Sequence, residues 1–519
     1  MTDKKWWISF MIVCVIGTLL VSYPLLQPGF IVTDDGTWMI IRLSAFFQNL
    51  KDGQFPVRFI SRLNFGYGYP VSNFLYPGYL YVGSALKVIG FSFVNAIKVM
   101  LIGSIFVTSI AVFGFLKKLY GAKSGFIGGL SILFSPYFMY DIYKRGSVGE
   151  VMAIASFAVA LYAIESNIFF LIPLALASVI MSHNTVGLFM MGIIFIYMII
   201  RKKMRALIGL PIAIGMTIFF WLPALMEQSF VMFKSITIAS PNDYVGVSTQ
   251  IILGYAPLIA MSLWMILREK EQRKNMKIVG WGLLGIALLM TPVATPIWNI
   301  TAIGKVVQFP FRLLSVWIVG GACVLAAWAS GKHTKGRMAL MIVSCVWMAS
   351  VSIPYITSVK HEYKESGYYT TNESTTTTKD EYMPIWVKEI PNSHADTPIE
   401  VIQGKMEILV EKNTTKQKQF TVIAKEEGLL YVNTLFYPGW GASMDGKPVE
   451  IGYANPKGVI EIAVPVGEHK IFIEFRETII RFLANICSAL SIVWYGLYLV
   501  VVYFGINIKK KIIETWTIQ

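Results

Sequence analysis

Runs of about twenty apolar residues recur along this chain, and most of its charges lie in the stretches between them. A run of that length matches the thickness of a bilayer's hydrocarbon core. Backbone crossing that core must bond internally, which leaves helices or closed barrels. A barrel would show shorter segments of alternating polarity, so the runs predict helices. The balance of residues agrees: 55% are hydrophobic and 14% charged, against about 25% charged in a soluble domain. We expect about twelve spanning helices, near 6–26, 94–116, 124–140, 151–165, 167–182, 185–200, 206–224, 248–267, 278–293, 311–330, 337–356 and 479–505. The first is expected to stay as an anchor, because no small-residue cleavage site follows it.

The apolar segment 74–91 is left out of that count. It holds Tyr76-Pro77-Gly78-Tyr79, Gly83 and Lys87, and the basic residues decide against it. With 74–91 lying along the membrane and the N-terminus inside, Lys117, Lys118 and Lys123 face the cytoplasm. So do Arg201 to Arg205, the group Arg268, Lys270, Arg273, Lys274 and Lys277, then Lys332, Lys335 and Arg337, and Lys509 to Lys511. One basic side is what insertion favours. The net charge of +15 then belongs to loops facing anionic lipid, not to nucleic acid. Cys14, Cys323, Cys345 and Cys487 all lie inside apolar runs and read as packing residues.

This topology sends the remaining polar groups to one external face. The stretch from Thr33 to Pro77 carries Asp34, Asp35, Arg58, Arg62, Tyr67 and Tyr69. Charges crowded at a membrane face are costly unless they bind something. Asp34 and Asp35 precede a helical pattern through Trp38, Ile41, Ala45 and Phe46, with Gly53 after its end. Either carboxylate is therefore suited to cap the helix, and one can cap while the other points elsewhere. The same face receives Asp141 to Glu150 with Arg145, the turn Ser182-His183-Asn184, the loop 227–244, and Gln308 to Arg312. Arg312 reads as a helix-end residue snorkelling to the interface. His183 reads equally as a ligand or as a hydrogen-bonded interface histidine.

Residues 357–477 form the one long polar region. A Thr-rich linker (368–378) leads into strand-like segments at 406–410, 419–423, 429–433, 459–464 and 471–475, with turn signals at Asp445-Gly446 and Val466-Gly467. Short strands with such turns predict a small β-sandwich. The expected fold is an α-helical polytopic membrane protein with an extracytoplasmic β-sandwich. Its parts are a transmembrane catalytic domain (1–356), the sandwich with its linker (357–477), and a final helix with a basic tail (478–519).

No phosphate-binding glycine loop joins a strand to a helix, and no Cys/His spacing calls for a metal. No cofactor is expected. An external carboxylate suits proton abstraction from a hydroxyl. Arginines suit a phosphate leaving group, and interface aromatics suit sugars or lipid stems. Together they fit glycosyl transfer from a lipid-linked phosphosugar. A flippase would instead place polar groups along helices through the midplane. A glycan-binding scaffold would use Trp440 and leave the acids structural.

The stretches Asp34-Asp35, Gly53 to Arg58, Gly66 to Pro70, Asp141 to Glu150, Ser182 to Asn184, Gln308 to Arg312, Asp380 to Pro384 and Tyr437 to Trp440 give the chain a family likeness. It resembles the GT-C glycosyltransferases that use polyprenyl-phosphate sugars, and among them the bacterial YfhO-type membrane proteins. The pterin-synthase label carried by some of these implies no pterin chemistry. The resemblance implies a GT-C-like bundle and an acidic catalytic base at Asp34 or Asp35. It also implies a second acidic loop at Asp141 with Glu150 as companion. Arg58, Arg62 and Arg145 would hold donor phosphate, with Tyr67, Tyr69 and His183 against substrate. The expected reaction moves a sugar, with inversion, from undecaprenyl phosphate to an extracytoplasmic glycan or polymer.

Overall fold

The structure, a computed structural model, describes residues 2–236, 239–268, 274–331, 335–365 and 367–516. Lys270, Arg273 and Lys332 lie outside the described residues, as do the side chains of Arg268, Lys274 and Lys509 to Lys511.

Every segment expected to span is helical. Among the described residues, six helices are long and apolar enough to cross a membrane singly: Asp3–Val21, Phe93–Tyr120, Val148–Glu165, Pro310–Ala329, Lys335–Thr357 and Ile479–Val502. Three further pairs of helices are apolar and long enough only when taken together, and each pair is sharply bent. Met204–Met216 meets Ile218–Phe230 at 60°, Pro241–Leu253 meets Ala256–Leu267 at 73°, and Lys277–Leu289 meets Pro292–Trp298 at 83°. The first break has a visible cause: the Ser488 hydroxyl accepts from the Phe219 amide (2.9 Å) and donates to the Gly215 carbonyl (3.1 Å), so a side chain stands between the two groups that would have continued the helical ladder. Leu171–Ser182 and Asn184–Ile200 are shorter apolar helices. The run at 124–140 is interrupted. Ala122–Ser131 gives way to a 3₁₀ turn and restarts at Pro136, whose ring nitrogen has no proton to continue the ladder. The segment at 74–91 forms an 11-residue helix, Gly78–Val88. At 1.5 Å per residue it is about 16 Å long, too short to cross.

The bundle has two chemically distinct ends. At one, the Trp7 ring packs on Phe113 and Tyr162, and Phe115 packs on Tyr197. Lys117 pairs with Asp3 (2.5 Å), and Glu165 takes Arg201 (2.7 Å) and Tyr197 (2.6 Å). Lys203 joins them at Glu165 (3.9 Å), so Lys117, Arg201 and Lys203 lie at this end. The other end carries the acidic loops and the sandwich.

Strand β1 (Phe30–Ile31) pairs antiparallel with β2 (His361–Glu362), next to the end of the Lys335–Thr357 helix. The sandwich follows with β3 (Ile399–Gln403), β4 (Met406–Asn413), β5 (Gln417–Ala424), β6 (Gly428–Leu435), β7 (Trp440–Met444), β8 (Lys447–Val449), β9 (Val459–Val464) and β10 (Gly467–Phe475). Two antiparallel sheets result, in the orders β4-β5-β10-β7-β8 and β3-β6-β9. The alternating Phe420, Val422, Ile471 and Ile473 are buried from one sheet, and Leu430, Val432, Ile460 and Ile462 from the other. Asp445 and Gly446, both at positive φ (52° and 79°), turn β7 into β8, as a tight hairpin requires.

The Thr-rich stretch, expected as a linker, is a packed strap. Ser44 donates to the Tyr369 carbonyl, Thr376 is buried against Arg42, and Val231 bridges Pro384. The sandwich is also anchored at its base. Glu227 there accepts from Asn73 (2.8 Å), Tyr437 (3.0 Å) and Arg481 (2.7 Å). This ties the broken helix, the sandwich and the final helix to one carboxylate.

Candidate active site

Gly36–Lys51 is the helix that the two adjacent aspartates precede. Its first turn is served by Thr33, whose hydroxyl accepts from the Gly36 amide (3.0 Å). Neither aspartate makes a side-chain cap, so the capping expectation gives way to Thr33. Both carboxylates are left for other partners.

Those partners come from a second loop. Residues Asp141–Arg145 form one turn of π-helix, a distortion often found at functional sites. Gly146 closes it at φ 68°. A Cβ there would run into the Thr33 hydroxyl, so only glycine admits both the left-handed backbone and the contact. Across it the Asp34 amide donates to the Lys144 carbonyl (3.0 Å) and the Asp35 amide to the Arg145 carbonyl (2.8 Å). The two loops are pinned backbone to backbone.

Side chains then diverge. Asp34 pairs with Lys144 at 2.9 Å, both about half exposed, a surface pair worth at most about 1 kcal/mol. Asp35 turns inward, 31% exposed, 3.8 Å from the Arg145 guanidinium. Burial pushes its carboxyl above the ordinary aspartate range, against the pull of Arg145 and Arg312. Arg145 is itself held by two fully buried acids, Asp141 (2.7 Å) and Glu150 (2.6 Å), and lies over the Phe311 ring. Tyr137 donates to the other Glu150 oxygen (2.6 Å). Burial and the nearby Glu150 carboxylate raise the Asp141 carboxyl, and its second oxygen has no partner.

Three more groups complete the cluster. Arg312 stacks on Phe309 (4.6 Å) and donates to Gln308 (2.8 Å). Its Nε is buried without a partner, and its charge acts on Asp35, Asp141 and His183. The snorkelling expectation is therefore corrected: this side chain turns into the protein. Arg42, buried, donates to Tyr79 (3.3 Å) and Thr376. His183 stacks on Tyr76 (4.7 Å) and accepts from the Val186 amide (3.2 Å). Burial keeps it neutral.

The expected site thus divides. Asp35, Asp141, Arg145 and Glu150 meet, His183 lies near enough for Arg145 and Arg312 to act on it, and Asp34 pairs with Lys144 beside them. The others lie elsewhere. Arg58 is buried at the final helix on the Phe219 carbonyl (2.7 Å) and Asn485 (3.0 Å), near Glu477. Arg62 grips the Ile41 carbonyl, Ser44 and the strap, and burial lowers it to about 10. Tyr67 is 3% exposed and Tyr69 fully buried, bonded to Thr377 (3.0 Å) and the Tyr382 amide (2.8 Å). Neither ring offers an open face to a sugar, which corrects the expectation for both. Trp440, 6% exposed, packs on Phe59 and Phe475. Arg42 is the residue that sequence reasoning missed. It sits mid-helix in an apolar pattern, and the unusual charge there was the available signal. Among the described residues no group of three or more His, Cys, Asp or Glu side chains is arranged to hold a metal.

No family model and no curated protein matches the chain. Solved structures do show similarity. The apo oligosaccharyltransferase of Archaeoglobus fulgidus aligns with TM-score 0.44 and 10% identity, over 74% of this chain and 62% of that one. The same enzyme with Zn and sulfate aligns at 0.41 and 11%, over 72% and 58%. The arabinofuranosyltransferase AftD from Mycobacteria aligns at 0.44 and 16%, over 69% and 27%. The chain spans about three-fifths of the oligosaccharyltransferase and about a quarter of AftD.

Proposed function

We propose that this protein is a membrane glycosyltransferase of the GT-C type. Its donor is a polyprenyl-phosphate sugar, undecaprenyl phosphate in the YfhO-type reading, and its acceptor an extracytoplasmic glycan or polymer. The reading rests on one observation above all: Asp35 is a part-open carboxylate, free of capping duty, beside a guanidinium that two buried acids hold in place.

In the proposed step the acceptor hydroxyl oxygen bonds to the anomeric carbon. The bond from that carbon to the phosphate oxygen breaks with its electron pair, and the hydroxyl proton passes to Asp35. Arg145 and Arg312 receive the leaving phosphate. Asp141 and Glu150 position Arg145, a role their full burial suits better than proton transfer. Asp141, the third expected catalytic residue, is thus proposed as a positioning residue.

A flippase would need polar groups spread along the midplane, whereas these side chains cluster where two end loops meet. A glycan-binding scaffold drew its support from Trp440, and that ring is packed on Phe59 and Phe475.

The test is transfer from a panel of polyprenyl-phosphate sugars by Asp34→Asn and Asp35→Asn proteins. Loss of a general base slows transfer about 10²–10⁴-fold. That loss is expected for Asp35→Asn with donor binding retained, and little change for Asp34→Asn. Parental transfer by Asp35→Asn rejects the assignment.

A further inference from the structure

Three side chains around Asp35 are more than nine-tenths buried, yet each ends in a polar atom that no protein group meets. Tyr76 packs on the His183 ring (4.7 Å) and on Gly149, where any Cβ would run into it. Gly149 directly precedes Glu150. His183 uses Nδ1 on the Val186 amide, so the proton of its neutral ring sits on Nε2. Tyr382, at the end of the strap, stacks on Phe74 (5.3 Å) and Phe233 (5.6 Å). Among the described residues, neither of these phenol hydroxyls nor His183 Nε2 has a hydrogen-bond partner, and none of the three atoms is sealed from solvent. Tyr69, Tyr79 and Tyr137, buried nearby, show the usual alternative: each is bonded through its hydroxyl, as buried phenols mostly are.

Their neighbours say what they face. The charges of Asp35 and Arg312 both act on Tyr76, and that of Arg312 also acts on Tyr382 and His183. In the proposed displacement the incoming oxygen is at Asp35 and the leaving phosphate at Arg145 and Arg312, aligned across the anomeric carbon. A group near both ends of that line flanks the sugar ring. The chemistry of the three atoms suits the same ligand. The guanidiniums already serve the phosphate, and what remains is neutral: two hydroxyls that donate and accept, and one N–H that donates. The ring hydroxyls of a sugar offer the matching roles. A site whose polar groups meet a substrate hydroxyl rejects a substrate that lacks it.

We propose that Tyr76, His183 and Tyr382 form the subsite for the sugar being transferred, and that the Tyr76 and Tyr382 hydroxyls decide which sugar is accepted. The proposal rests on the transferase reading, but it is tested by binding without turnover. Full-length protein in nanodiscs is titrated with undecaprenyl phosphate and with its glucose, galactose, mannose, N-acetylglucosamine and arabinose derivatives. At least one derivative is expected to bind more tightly than the bare lipid phosphate. Tyr76→Phe is expected to weaken that derivative about fivefold, the worth of one neutral hydrogen bond, and Tyr76→Phe/Tyr382→Phe roughly twentyfold. Both variants are expected to bind the bare lipid phosphate like the parent. Both should also melt at the parental temperature, since neither hydroxyl holds a protein group. A sugar preference that survives in the double variant overturns the proposal. So does equal weakening of the derivative and the bare lipid phosphate, or a lowered melting temperature, which would make the hydroxyls structural. Bare lipid phosphate bound as tightly as every derivative sinks the subsite alone, whereas binding of neither lipid sinks the transferase reading with it. If Asp35→Asn transfers sugar at the parental rate, the base assignment falls while the subsite result stands.

Discussion

Asp34 and Asp35 are adjacent in the chain and opposite in environment. Asp34 faces solvent beside an exposed lysine. Asp35 is drawn under the Arg145 guanidinium, where burial raises its proton affinity. A raised carboxyl takes up its proton at a higher pH than a free one, and a base must be ionised to act. Transfer should therefore fall, on acidification, at a pH above the ~3.9 of an unperturbed aspartate. The pH dependence of kcat/KM measures this limb. A limb near 4, or one that persists in Asp35→Asn, removes Asp35 as its source. Both aspartates were legible as candidates from their position before a helix. Which one turns inward was not, because that depends on Arg145, more than a hundred residues away.

At the scale of elements, the site is made by one loop crossing another. The π-turn Asp141–Arg145 and the loop before Gly36 lock through two backbone hydrogen bonds, and Gly146 is the residue that lets them close. Alanine there must hold a left-handed φ, at a cost of roughly 1–2 kcal/mol, and must also push Thr33 aside. Gly146→Ala should lower the melting temperature slightly and transfer steeply, since Asp35 and Arg145 move apart. Parental transfer by Gly146→Ala would show that the clamp does not set the site. The π-turn itself was hidden from the sequence, since its residues continue a helical pattern. The bent pairs of helices were equally hidden. Hydropathy reports the length of an apolar run, and a bend at Thr217 alters it very little.

Across the whole molecule, Glu227 and Arg481 join the bundle, the sandwich and the final helix. Both side chains are nearly inaccessible (3% and 0% exposed). Removing one partner of such a pair leaves a buried charge alone, at about 3–5 kcal/mol. Glu227→Ala should therefore unfold at markedly lower temperature, and Glu227→Met/Arg481→Met should recover most of the loss. If Glu227→Ala melts like the parent, the junction does not hold the parts together. Sidedness is read at the same scale. The basic end carrying Lys117 is expected inside, and the sandwich outside. A cysteine at Lys118 in a background without native cysteines should resist an impermeant thiol reagent in intact cells, and one at exposed Glu426 should react. Labelling at position 118 from outside would overturn that orientation.

The sequence alone determined the class of this protein. Apolar runs can only be hidden in lipid or a core, and strands of alternating polarity followed by turn residues can only pack as sheets. It also gathered polar groups onto one face, Asp35, Asp141, Arg145, Glu150 and His183 among them, and the family resemblance singled these out. The tertiary structure decided which of these meet. Arg58, Arg62, Tyr67 and Tyr69 look equally available in the chain, yet folding buries Arg58, Tyr67 and Tyr69 and ties Arg62 to the strap. The physical reason is general: a side chain's type is local, but its exposure and its counter-charge come from segments far along the chain.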